Sequence, residues 1–208
     1  MRAILCAGLA TLMGFAMPGA VAAQIANPAM LAPDTRFEAP GVPAPDQTNT
    51  TDKLFAQLTA EGGLAEVVLG ELATEKAGAE AVQDFAARMV EDHTTANDDL
   101  AAIAENSQIP LPDELNAEHQ AMQARLEALE GAAFDLAYMR GQVVDHQKTV
   151  QLLIWEIGFG QARELQNFAS DTLPVILGHL KDARAIVTEL TQVDVALNPD
   201  ENPPPRPE

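Results

Sequence analysis

The sequence has almost no cysteine. Cys6 is the one thiol in its 208 residues, which excludes a disulfide framework and a cysteine-rich zinc site. Aromatic residues are scarce as well, at 4%, with one Trp and one Tyr. Sheets draw on aromatic and β-branched side chains, so this scarcity beside plentiful Ala and Leu favours helices. Positive charge is also short. Twelve Lys and Arg face 31 Asp and Glu, for a net charge of −19. Nucleic acid and anionic membrane surfaces are polyanions, and this balance excludes them as expected partners. No window alternates apolar and polar residues with period two, which excludes a transmembrane barrel. After the first 23 residues no segment is apolar for long enough to span a bilayer as a helix. A Ser/His/Asp or Cys/His catalytic set and a phosphate-binding glycine loop are missing too, so the sequence leans away from an enzyme.

Proline, nearly absent from the middle, marks the organisation. Of the 14 prolines only Pro110, Pro112 and Pro174 fall between residues 52 and 191. Residues 1–23 read as a signal peptide. Arg2 is its basic start, Ala3 to Met17 its apolar run, and Ala20-Val21-Ala22-Ala23 its cleavage site. Cys6 leaves with it, so the exported chain is expected in the periplasm, without a thiol and without membrane insertion. Residues 24–51 carry Pro28, Pro33, Pro40, Pro43 and Pro45 and read as a disordered linker. Residues 192–208 read as a disordered, Pro-rich acidic tail. The folded part is then 52–191, itself acidic, with 9 Lys and Arg against 24 Asp and Glu. Protein partners and oligomeric state are left open.

Four long helices follow from three-four apolar spacing. The first spans about 52–77 on Leu54, Leu58, Ala65, Val68 and Leu72. Its Gly62-Gly63 pair suits a close approach by a neighbour. The second spans about 79–106 on Val82, Ala86, Met89, Ala96, Leu100 and Ile103. Ser107 to Pro112 break the pattern. A shorter helix, about 114–129, follows with Asp113 as its cap. The third long helix, about 132–157, uses Leu136, Met139, Val143, Val150, Leu153 and Ile157. The fourth, about 161–191, carries a wide stripe from Leu165 to Leu190 with Pro174 inside. Short turns make the first and second, and then the third and fourth, antiparallel pairs. The expected fold is all-α: a ferritin-like up-down four-helix bundle, with a long helical crossover between helices 2 and 3. Val82-Gln-Asp-Phe-Ala recurs as Leu165-Gln-Asn-Phe-Ala, a weak echo of two related halves.

All four histidines fall on these apolar seams. His93 lies between Met89 and Ala96, and His146 between Val143 and Val150. His179 lies in the wide stripe, and His119 between Leu115 and Met122 on the crossover helix. His93, His146 and His179 also sit within about one turn of the midpoints of their helices. Mid-height meets mid-height whichever way a helix runs, so the three can converge. Glu66 is the carboxylate nearest the midpoint of the first helix, with Glu61 the runner-up. Glu66, His93, His146 and His179 therefore form a candidate first shell for one transition metal ion: Cu, Zn or Fe. Met89, Met139 and His119 are candidate auxiliary ligands, and thioethers beside imidazoles would suit copper. The competing reading is a set of core histidines, each hydrogen-bonded to a neighbour, in a metal-free envelope protein that resists stress or binds a partner. Asp92 and Asp145, beside His93 and His146, point about 100° away from them and read as solvated.

The motifs Ala65-Glu66-Val67-Val68-Leu69-Gly70-Glu71-Leu72-Ala73 and Phe85 through Asn97, with Met89-Val90-Glu91-Asp92-His93 inside it, resemble the domain-of-unknown-function 4142 family. Phe134-Asp135-Leu136-Ala137-Tyr138-Met139, Asp145-His146-Gln147-Lys148, Leu173-Pro174 and His179-Leu180 continue the resemblance across 52–191. It implies an exported ferritin-like bundle and no established activity. The Phe134-to-His146 stretch also resembles a copper-linked ferritin-like family with Met and His at similar places. Ferritin-like di-iron proteins carry Glu-x-x-His on two helices. Val90 and Ile176 stand where those glutamates would precede His93 and His179, so a mononuclear site is the expectation.

Overall fold

The computed structural model describes residues 47–197, with side chains to residue 192. The expected signal peptide lies outside the described residues, as do most of the linker and most of the tail. Five helices follow one another: α1 (Thr50–Lys76), α2 (Glu80–Asn106), α3 (Ala117–Glu127), α4 (Gly131–Phe159) and α5 (Arg163–Leu197). There is no strand among the described residues. None of these helices is long and apolar enough to cross a membrane.

Local chemistry sets the helix ends. Asn49 opens α1 with a reciprocal cap: Asp52 N donates to Asn49 Oδ1 at 2.9 Å while Asn49 N donates to Asp52 Oδ2. Gln108 closes α2 in the left-handed region at φ 54°. There Ile109 N donates to Ala104 O at 2.8 Å and Gln108 N to Glu105 O at 3.1 Å, which satisfies two of the free carbonyls of the last turn. Two expected boundaries move. α3 starts at Ala117 rather than near 114, because Asn116 and not Asp113 supplies the cap, accepting from His119 N at 2.9 Å. α5 runs on to Leu197, past the expected end at 191.

Four long helices pack as two hairpins. α1 pairs with α2 and α4 with α5, and the hairpins meet through α1 against α4 and α2 against α5. Each hairpin turn is clasped by a buried aspartate from the other hairpin. Asp52 Oδ1 accepts from Gln161 N and Ala162 N at 2.7 and 3.0 Å. Asp135 accepts from Gly78 N and Ala79 N, both at 2.9 Å. The start of α1 therefore sits at the α4–α5 turn, the start of α4 at the α1–α2 turn, and α1 runs opposite to α4. Residues 107–130 must then return along the bundle. They leave beside Gln57, whose Nε2 donates to Pro110 O at 3.1 Å, and arrive beside Lys76, whose Nζ donates to Glu127 O at 2.7 Å. The same number of residues separates Asp52 from Asp135, Gly78-Ala79 from Gln161-Ala162, and Phe85 from Phe168. The echo in the sequence is thus an echo in space.

The apolar core is split. One cluster gathers Phe55, Leu100, Leu153, Leu165 and Ile176 towards the α4–α5 turn. The other gathers Leu69, Val82, Phe85, Met89, Phe134 and Tyr138 towards the α1–α2 turn. Between them lies a buried polar layer of Glu66, His93, Gln142, His146 and His179. The expected seam of the first helix holds at Ala65, which is buried, and is out of phase at its start. Leu54 and Leu58 are 44% and 41% exposed, while Phe55, Ala56, Ala60, Gly63, Leu69 and Gly70 are buried. α1 turns its small residues inward, because its neighbours come close there. A Cβ on Gly63 would overlap the Asn97 side chain, and one on Gly70 would lie 2.9 Å from Val90 Cγ2. Gly62 meets nothing within 4 Å, so only the second glycine of that pair serves a close approach.

Candidate metal centre

Three helices bring three imidazoles into the polar layer: His93 from α2, His146 from α4 and His179 from α5. One ring nitrogen of each lies within 4.8 Å of the other two. The ring centres are 5.6 Å (His93–His146), 5.7 Å (His93–His179) and 5.3 Å (His146–His179) apart. All three rings are buried, and Phe85 meets the edges of His146 and His179 at 6.4 and 6.5 Å.

Hydrogen bonds fix where the protons sit. His146 Nδ1 lies 3.0 Å from Gln142 O and 3.5 Å from Glu66 Oε1. A carbonyl oxygen only accepts, so Nδ1 carries the proton and Nε2 is left with its lone pair. His179 Nε2 lies 2.8 Å from Asp92 Oδ2. That carboxylate accepts from Nε2, which leaves the lone pair on Nδ1. These two bare nitrogens, His146 Nε2 and His179 Nδ1, face each other at 3.3 Å. His93 Nε2 is buried with no partner. Between His146 Nε2 and His179 Nδ1 two lone pairs thus meet with no proton to share.

Burial sets the protonation. It pulls His93 down to about 3, helped by His146 and His179. It pulls His146 down to about 4, helped by His179 and opposed by the Gln142 carbonyl. It also lowers His179, against the pull of Asp92. All three are neutral near pH 7, the state in which imidazole ligates metals. Burial pushes the Glu66 carboxyl up to about 8, although the hydrogen bond from Gln142 opposes it.

The other candidate residues take separate places. Glu66 stands behind His146, on the side of its protonated Nδ1, and accepts from Gln142 Nε2 at 2.7 Å. It buttresses one imidazole and lies outside the group of three. Glu61 accepts from Asn116 Nδ2 at 3.3 Å. With Glu66, His119 and Asp145 it lines a cavity of about 260 Å³ between α1, α3 and α4. His119 is thereby set apart from the other histidines. Met89 and Met139 are fully buried in the apolar cluster nearer the α1–α2 turn. Asp92 is a correction: expected to be solvated, it reaches across to α5 and holds His179. The 100° offset that turns Asp92 away from His93 turns it towards the neighbouring helix. Asp145 pairs with Lys148 at 3.2 Å on its own helix. Gln142, one turn before His146, went unnoticed in the sequence; a polar residue on the buried face was its signal.

A family model described as Domain of unknown function (DUF4142) matches residues 37–186. Among solved structures, a crystal structure of a DUF305 fragment from Deinococcus radiodurans is similar in fold. Its TM-score is 0.62 at 14% identity, covering 69% of this chain and 99% of that one. No curated protein matches the chain.

Proposed function

The chain belongs to the family described as Domain of unknown function (DUF4142), and on that premise we propose that it is an exported ferritin-like bundle that binds one transition metal ion on His93, His146 and His179. The bundle would hold Cu, Zn or Fe in the periplasm, as a metal buffer or in envelope stress. One observation carries this reading: two imidazole lone pairs face each other at 3.3 Å in a buried layer, and a ring nitrogen of His93 belongs to the same buried group. Uncompensated lone pairs repel and are costly to bury. A shared cation removes that cost. Two nitrogens bound at the usual 2.0–2.1 Å with tetrahedral angles lie about 3.4 Å apart. His93 would close the remaining distance. Asp92 on His179, and Gln142 with Glu66 behind His146, are the outer partners that orient metal-binding imidazoles. Three nitrogen ligands leave a coordination position open. The direction of the chain, with α1 opposite to α4 and a crossover running the length of the bundle, supports the ferritin-like topology.

The alternative is a metal-free envelope protein with structural histidines. The bonds that already hold His146 and His179 favour it. Metal analysis of the untagged chain by mass spectrometry separates the two readings, using wild type and the His93→Ala/His146→Ala double variant. One equivalent of metal in wild type and none in the variant is expected. Failure of wild type to retain Cu, Zn, Fe or Mn after loading would sink the metal reading.

A further inference from the structure

Two cavities approach the polar layer from opposite sides of the bundle. The cavity between α1, α3 and α4 reaches Glu66 and, beyond it, the protonated face of His146. A cation arriving there meets an N–H. Lys148, 53% exposed, also lines that cavity. The second opening, about 300 Å³, lies between α2 and α5, and its walls include His93 and His179 themselves. Exposed Glu91, Asp99 and Asp171 are among its lining residues, and no Lys or Arg is. Just beyond it, Arg88 is held by Asp182 at 2.9 Å. His93 is 7% exposed, and its Nε2 has no hydrogen-bond partner. An acidic mouth thus leads to a buried imidazole that lacks a partner.

We propose that the centre is loaded through this mouth between α2 and α5 by a hydrated divalent cation, with Asp99 and Asp171 steering it inward. The inference rests on the metal reading above. A channel of one sign with low-dielectric walls concentrates counterions and raises their association rate, and salt screens the effect. The same field repels anionic metal chelates, so the mouth selects the free ion. Helical spacing supports the route. Asp171, Val175 and His179 follow one another at four-residue steps along α5, and Asp92, Ala96 and Asp99 share one face of α2. Asp92 is left out of the steering role because it holds His179.

Stopped-flow mixing of the full chain with Co²⁺, followed by the d–d absorbance of imidazole-bound cobalt, tests the route. In low salt, Asp99→Asn/Asp171→Asn is expected to load about tenfold more slowly than wild type, and in about 0.5 M NaCl the two should coincide. Dissociation should be unchanged. Val175→Trp, at a position 45% exposed, should narrow the mouth and slow loading at every salt concentration. Glu61→Gln/Glu118→Gln, which removes the same charge from the opposite cavity, should load like wild type. A wild-type rate in Asp99→Asn/Asp171→Asn, or equal slowing in both double variants, overturns the route while leaving the centre standing. The absence of cobalt bands in wild type overturns both.

Discussion

At the scale of residues, His93 is the odd member of the polar layer. His146 and His179 each have a hydrogen-bond acceptor, while the Nε2 of His93 has none. A buried polar atom without a partner costs about 1–3 kcal/mol. His93→Leu should therefore leave the metal-free protein at least as stable as wild type while abolishing any rise in Tm with added Zn²⁺; thermal melts with and without EDTA read both. The same imidazoles set a pH dependence. His93 and His146 are held near 3 and 4 in the fold, against an ordinary value of 6.5. The unfolded chain therefore binds the protons first. Stability from these neutral rings is present above pH 6.5 and is lost as the pH falls through 6.5 towards 4. Tm in EDTA should drop across that window, and His93→Leu should shrink the drop. The three histidines were legible in the sequence, because apolar spacing alone marked their positions as inward. Asp92 and Gln142 were not, because a seam drawn on one helix says nothing of the helix that a side chain reaches across to.

At the scale of elements, the two hairpins hold each other by their turns. The N-cap residue of α2, Ala79, offers no side-chain cap of its own. Asp135 supplies one from α4, and Asp52 does the same for the α4–α5 turn. Asp135→Ala should cost about 2 kcal/mol in urea unfolding, within the range for a lost cap. Glu156 lies beside the Asp52 clasp, fully buried. Burial first, and the Asp52 carboxylate second, push it up to about 8. For such a raised carboxyl the stability is full below about 4.5 and is lost as the pH climbs through 8. Glu156→Gln should therefore raise Tm at pH 9 and change it little at pH 4. These clasps were invisible in the sequence, where an Asp in the first turns of a helix reads as an ordinary partner for that helix's own dipole. Long elements were legible from periodicity. The first turns of α1 were not, because Phe55, Ala56 and Ala60 carry the contact there while Leu54 and Leu58 face outward.

At the scale of the whole molecule, composition and proline spacing made the helical class legible, and the lengths of the turns made the pairing of hairpins legible. The split of the core was not, since a seam with one histidine looks continuous in sequence. The clasps have a further consequence. The buried carboxylate that holds each turn comes from the opposite hairpin, and residues 107–130 are the one covalent bridge between the two halves. The halves are thus interchangeable parts. A hairpin from a second copy offers the same aspartate, the same packing face and the same histidines as the chain's own. A chain whose bridge is too short to fold back can complete itself only with another molecule, by exchanging hairpins. Deleting residues 112–115, which spares the Asn116 cap of α3, should convert the protein into an intertwined dimer of unchanged helix content, read by light scattering and circular dichroism. Such a dimer would carry two polar layers, each built from two chains.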